Sequence, residues 1–362
     1  MSKAQVRHMF AGGNTSLGFF SYYDYILPQE EAARIFILKG GPGVGKSTFM
    51  RRIAGEMLTM GYDVEFMHCS SDPDSYDGVV IPEIKVAFMD GTAPHMVDPR
   101  NPGAVDEIIN LGDYWNEEKI KQHKEAIMES NLEIKRIFQR AYRYIKAAAL
   151  VHEDTAEINK LAVDTGRINV IADTMLKEIF DGTEISGTGG RQRRLFASAI
   201  TPDGIKNYID SILNMEKVYR IIGEQGTGAE KILEKIKNSA VERGFYVESY
   251  YCALYPLKLE HLVIPALSVA VTTTNSYHRA NVDTYKEYDL NEYVEKSIIA
   301  RFENELVNNG KKFEELIGMA VNTLEKAKAM HKQIESYYIP NMDFEAVQRR
   351  LESTLAMIVK GI

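Results

Sequence analysis

The sequence predicts an α/β protein built from two tandem cores with parallel sheets, each core extended by a long α-helical hairpin. Three observations predict it. A strand candidate runs through a glycine-rich loop into an amphipathic helix at residues 34–53, "RIFILKGGPGVGKSTFMRRI". A second apolar strand, "IKVAFMDG" at 84–91, ends on an acid. The chain also matches itself at an offset of 183 residues. Alternating strands and helices favour parallel sheets.

The first element is the loop after Ile35–Leu38. Gly40, Gly41, Gly43, Val44, Gly45, Lys46, Ser47 and Thr48 fit G-x-x-x-x-G-K-[ST] with a strand before and a helix after, which is the P-loop context. Glycines reach backbone dihedrals closed to other residues, so successive N–H groups can face a phosphate. The helix adds its positive dipole end. In that reading Lys46 offsets the charge of the β- and γ-phosphates of ATP, Ser47 ligates Mg²⁺, and Thr48 lies near the α-phosphate. The bland reading is a glycine-rich turn that happens to hold a lysine.

The second element is Asp90, placed where a Walker B acid would hold Mg²⁺ directly or through water. Asp72, Asp74 and Asp77, on the preceding segment, are rival acids. Gly91 and Thr92 follow Asp90, so the adjacent glutamate of motor-type ATPases is missing.

The third element is the repeat. Gly40, Gly43 and Gly45 fall on Gly223, Gly226 and Gly228, and Cys69 and His95 fall on Cys252 and His278. Upstream, residues 10–27 match 196–213; downstream, 134–152 match 313–331. The repeated unit is a whole domain. The predicted division is 1–185, with a hairpin at about 117–180, and 190–362, with a hairpin at about 291–360; Asp164 and Asp343 are N-cap candidates for the second hairpin helices. The basic stretch 181–194 reads as the joint. In the second copy Ala229 replaces Lys46, Glu230 replaces Ser47 and Thr273 replaces Asp90, so phosphate charge meets repulsion there. Only the first copy is expected to bind nucleotide, unless Lys231 reaches back.

Smaller constellations compete. His68, Cys69, His95 and Asp98 could be assembled into a zinc site, although adjacent His-Cys lacks ligand spacing. His95 is a candidate substrate contact or base, with a structural role favoured by its twin His278. His152 and His331 read as helix-packing residues. Arg100, Arg191, Arg193 and Arg194 are candidate phosphate-stabilising arginines or merely solvated charges.

Composition bounds the rest. A formal charge of −8 over 362 residues does not favour nucleic acid as a partner, and two cysteines are too few for a disulfide framework. The N-terminus lacks the apolar core of a signal peptide, and no run approaches the roughly 20 apolar residues of a membrane helix. A cytoplasmic protein is expected. The hairpins are candidate surfaces for a protein partner or a homodimer.

The set "FAGGNTSLGF", "GGPGVGKST", "HCSSDPDSYDGVVIPEI", "DGTAPH" and "NLGDYW" resembles a family of two-copy P-loop proteins of spore-forming Gram-positive bacteria. That family is described as ATPase, ATP-binding protein or nucleotide kinase. The resemblance implies an ATP- and Mg²⁺-dependent enzyme. The expectation is one live site that couples ATP hydrolysis to a regulatory or conformational output. A small-molecule kinase and a nucleotide-gated binding module with little turnover are the alternatives.

Overall fold

The computed structural model describes residues 4–92 and 97–361. The first copy runs β1 (Val6–Met9), β2 (Gly12–Thr15), β3 (Gly18–Ser21), β4 (Arg34–Lys39), α1 (Lys46–Thr59), β5 (Val64–His68), β6 (Tyr76–Ile81), β7 (Val86–Asp90), β8 (Asp106–Asn110), α2 (Glu117–Lys121), α3 (Lys124–Ala162) and α4 (Thr165–Ile179). The second repeats it as β9 (Gln192–Phe196), β10 (Ser198–Thr201), β11 (Gly204–Asn207), α5 (Ile209–Ile212), β12 (Lys217–Ile222), α6 (Ala229–Glu242), β13 (Val247–Tyr251), β14 (Leu259–Ile264), β15 (Val269–Thr274), β16 (Lys286–Asp289), α7 (Lys296–Arg301), α8 (Glu303–Tyr338) and α9 (Phe344–Gly361).

Each copy forms a six-stranded sheet, ordered β1-β5-β6-β7-β4-β8 and β9-β13-β14-β15-β12-β16. The sheets are mixed, which corrects the parallel expectation: β6 and β14 run antiparallel to both of their neighbours. The chain leaves no choice there. Only Pro82–Lys85 separates β6 from β7, far too few residues for a crossover. Lys85 turns that corner at φ +54, as its twin Ser268 does at +49.

Inner faces of the two sheets pack on each other through Ile35, Ile37, Val80 and Ala87 of one copy and Val218, Tyr250, Val263 and Ala270 of the other. The outer face of the first sheet carries Phe36, Leu38, Val79 and Phe88 against α1, and that of the second carries Tyr219, Ile221, Leu262 and Val271 against α6. The alternation along β4, with Ile35 and Ile37 inward and Phe36 and Leu38 outward, is the period-2 signature of a strand buried on both sides.

The helical extensions differ from expectation in partner. Asp164 caps α4 by accepting from Gly166 N and Arg167 N, and the Asp343 carboxylate accepts from Ala346 N, so the cap assignments hold. However, α4 does not fold back along α3. It packs on α6 of the second copy, bringing Ile168, Ile171 and Met175 into that core. Reciprocally, α9 brings Val347, Leu351 and Ile358 into the core of the first copy beside Phe49 and Ile53. The long helices α3 and α8 lie antiparallel on each other, with Ile134 near Ile334 and Asn309 Nδ2 donating to Asp154 Oδ2 at 2.7 Å. Each core is therefore completed by the other copy's last helix. The stretch expected to be a solvated joint is partly strand: Arg193 on β9 is buried, donating to Glu65 Oε2 at 2.7 Å and to the Tyr25 and Ile26 carbonyls. None of the helices among the described residues is long and apolar enough to cross a membrane.

Candidate functional site

The glycine loop joins the end of β4 to the start of α1. Gly40, Gly43 and Gly45 have φ of +138, +71 and +95, values that a side chain would strain. Gly40 has a second constraint, because a Cβ there would meet Val44 Cγ2 at 2.9 Å. Val44 is fully buried and pins the loop to the core. Gly45 is the N-cap of the 14-residue helix α1, with no side chain bonding the cap. The loop thus presents its backbone and the positive end of a helix dipole to one point.

Lys46 stands at that point. Its Nζ donates to Gly40 O at 2.9 Å and to Gly41 O at 3.0 Å, and lies 3.8 Å from Asp90 Oδ2. Parallel pairing puts Asp90 directly beside Leu38, one residue before the loop begins to leave the sheet. The other carboxylate oxygen of Asp90 accepts from Thr92 N at 2.9 Å and from the Thr92 hydroxyl at 2.6 Å. The Ser47 hydroxyl accepts from Tyr76 N at 3.1 Å, and Thr48 is exposed in the first turn of α1. Lys46, Asp90 and the loop backbone thus meet at one place, with Ser47 next along α1 and bonded to Tyr76.

Most of the rival groups have other partners, and the Asp74 side chain is exposed. Asp72 pairs with Lys328 at 2.9 Å and accepts from Ser75; burial opposes its ionisation, but these partners hold its carboxyl below the usual range. Asp77 accepts from Tyr23 at 2.6 Å. Of the candidate zinc set, His68 bonds His8 and the Pro73 carbonyl, and Asp98 pairs with Lys39 at 2.9 Å. Burial pushes Cys69 up, so it stays a thiol, and His95 lies outside the described residues. Arg100 pairs with Asp24, Arg191 with Glu31, Arg193 with Glu65, and Arg194 lies over the Tyr25 ring. None of the four arginines is aimed at the loop by these contacts.

One part of the site escaped the sequence reading. The loop is covered by the second copy. A Cβ at Gly41 would lie 2.8 Å from the Tyr338 ring, and one at Gly43 would lie 2.8 Å from Ile339 and 3.3 Å from Glu335. Phe344 approaches Gly45. Burial raises the Glu335 carboxyl, while the charges of Lys332 and Lys46 act to lower it. These residues lie at the α8–α9 junction, and no motif marks them.

The second loop is built alike and filled differently. Gly226 and Gly228 keep positive φ, at +86 and +104. A Cβ at Gly226 would meet Ala156 O at 2.2 Å, and Asn159 Nδ2 donates to Gln225 O at 2.7 Å, so the end of α3 seals this loop through its backbone. Ala229 supplies no cation, and Glu230 and Lys231 are both exposed. A neighbouring cavity of about 420 Å³ is lined by Glu224 and Glu303, with Lys296 as its one cation. Neither protein-family models, curated proteins nor solved structures match the chain.

Proposed function

We propose that the chain is an ATP-binding, Mg²⁺-dependent enzyme with a single nucleotide site, made by Gly40–Thr48 and Asp90 of the first copy. The observation that carries this reading is the position of Lys46. It is held over the loop by two loop carbonyls and faces Asp90, where an incoming phosphate can take the place of the carbonyl contacts. Positioned amides and one half-buried cation stabilise charge on a transferred phosphoryl group far better than water does. Ser47 and Asp90 would hold the metal. Hydrolysis coupled to a conformational output is the favoured activity.

The cover formed by Tyr338, Ile339 and Glu335 also supports a second reading, a nucleotide-gated module in which ATP displaces the α8–α9 junction and turnover is incidental. Equilibrium binding of ATP with Mg²⁺, followed by ADP release with and without candidate acceptors, tests both readings. One ATP per chain is expected. Two would remove the single-site reading, and none would remove both.

A further inference from the structure

Where the first copy carries Asp90, the second carries Thr273, and beside it lies a cluster that the nucleotide reading does not use. We propose that Glu260, His261 and His278 form a site for one divalent ion of the zinc class. Among the described residues, these three offer ligand atoms that all lie within 4.8 Å of one another.

Local backbone geometry explains how neighbours on a strand can converge. Adjacent residues normally face opposite sides of a sheet. Here the β13–β14 register slips, since Tyr250 pairs with His261 while Tyr251 pairs with Leu259, which leaves Glu260 as the extra residue of a β-bulge. Such a bulge re-aims a side chain, so Glu260 can share a side with His261. His278 arrives from the loop after β15, where its backbone N–H donates to Asn275 Oδ1 at 3.2 Å.

Hydrogen bonding fixes the chemistry of His261. The Thr272 hydroxyl lies 3.3 Å from Thr273 O and 2.9 Å from His261 Nδ1; with its proton on that carbonyl it accepts from Nδ1–H, the tautomer that a ligating imidazole needs. Nε2 is then the bare lone pair, and it is buried without a partner in a residue only 1% exposed. An unpaired buried acceptor costs stability unless something occupies it. A metal ion would, and the Thr272 contact is the outer-shell bond that ligating imidazoles use to set their tautomer. Glu260 supplies the anionic oxygen and is 5% exposed.

Space is present too. A cavity of about 50 Å³ lies against Glu260 and His278 and is also lined by His152, Cys252 and Gln225. That is room for a water beside two of the three ligands, with His261 outside its wall. Two imidazoles and one carboxylate with an open position suit Zn²⁺ better than Mg²⁺ or Ca²⁺, which take oxygen ligands. The set belongs to the second copy alone, because Gly78 stands at the position of His261.

The test uses the full-length chain, stripped with a chelator and dialysed against Zn²⁺ alone, with metal counted by mass spectrometry. One zinc per chain is expected. Glu260→Gln and His278→Ala should each lose it, Thr272→Val should weaken it by about 10–100-fold, and Lys46→Ala should keep it in full. Co²⁺ alone should give visible absorption bands that the same variants abolish. Glu260→Gln preserves shape, and circular dichroism identifies any variant that unfolds. No stoichiometric zinc in the wild type, or undiminished zinc in folded Glu260→Gln and His278→Ala, overturns the proposal.

Discussion

Arg7 of the first copy is ion-paired with Glu248 of the second, and the arrangement is reciprocal. Arg7 also meets Glu65 at 2.9 Å, while Arg193, its twin, meets Glu65 at 2.7 Å and Glu248 at 3.6 Å. Burial acts to raise the Glu248 carboxyl, but the Arg7 charge and hydrogen bonds, with Arg193 behind them, bring it down to about 2 from an ordinary 4.5. A depressed carboxyl contributes stability that is complete above its unfolded value and lost as pH falls through the folded one. Acid destabilisation from this network is therefore expected as pH drops from 4.5 towards 2. Glu248→Gln should cost about 3 kcal/mol at neutral pH and flatten that part of the curve, as measured by urea unfolding across pH.

Lys46→Ala should abolish tight ATP binding, because the loop keeps its amides but loses the cation that faces them. Ala229→Lys should not create a second site, since Glu230 and Thr273 remain and α3 seals the loop. Isothermal titration with ATP and Mg²⁺ measures both. Two sites in Ala229→Lys would show that the lost lysine alone had silenced the second copy.

Tyr338→Ala should speed nucleotide association. Its ring lies over Gly41, so removing it relieves a cover that ATP must otherwise displace. A rise of about 10-fold, equivalent to about 1.4 kcal/mol, is expected in stopped-flow binding of a fluorescent ATP analogue. An unchanged rate would mean that the cover opens freely.

Two glycine substitutions should have opposite signs. Gly226→Ala places a methyl 2.2 Å from Ala156 O at φ +86, and should cost about 3 kcal/mol through backbone strain and a displaced α3. Gly55→Ala lies in an exposed turn of α1 with nothing within 4 Å, and should gain up to about 1 kcal/mol from helix propensity. Scanning calorimetry of both variants provides the check.

Residues 1–185 expressed alone should not form a stable monomer. Without α9, the positions of Val347, Leu351 and Ile358 against α1 are empty, each side chain contributing about 2 kcal/mol of burial. Co-expression with 190–362 should restore a folded pair, read by size-exclusion chromatography.

Much of this was legible in the residues. The strand–loop–helix spacing located Gly40, Lys46 and Asp90, because each side chain or dihedral there has a local reason. The repeat was legible since insertions did not disturb the register between 35 and 95. The antiparallel β6 was hidden: its apolar content resembles that of any central strand, and only the brevity of Pro82–Lys85 betrays its direction. Helix exchange was hidden more deeply. The apolar stripe of α4 states that Ile168, Ile171 and Met175 must be buried, not which sheet buries them. Tyr338 and Ile339 lie nearly 300 positions after the loop they cover, and no local pattern encodes such a contact. His261 carries no sequence signal, because neighbours on a strand normally face opposite sides and only the β-bulge at Glu260 changes that.

Exchange of the closing helix carries one more implication. In a symmetric dimer of single copies, any substitution in the glycine loop would strike both loops at once, and losing the lysine would silence the whole assembly. Fusion into one polypeptide separates the two fates. Because the earlier copy takes α9 into its core, the later copy must stay folded, yet that exchange places no demand on which side chains its own glycine loop carries.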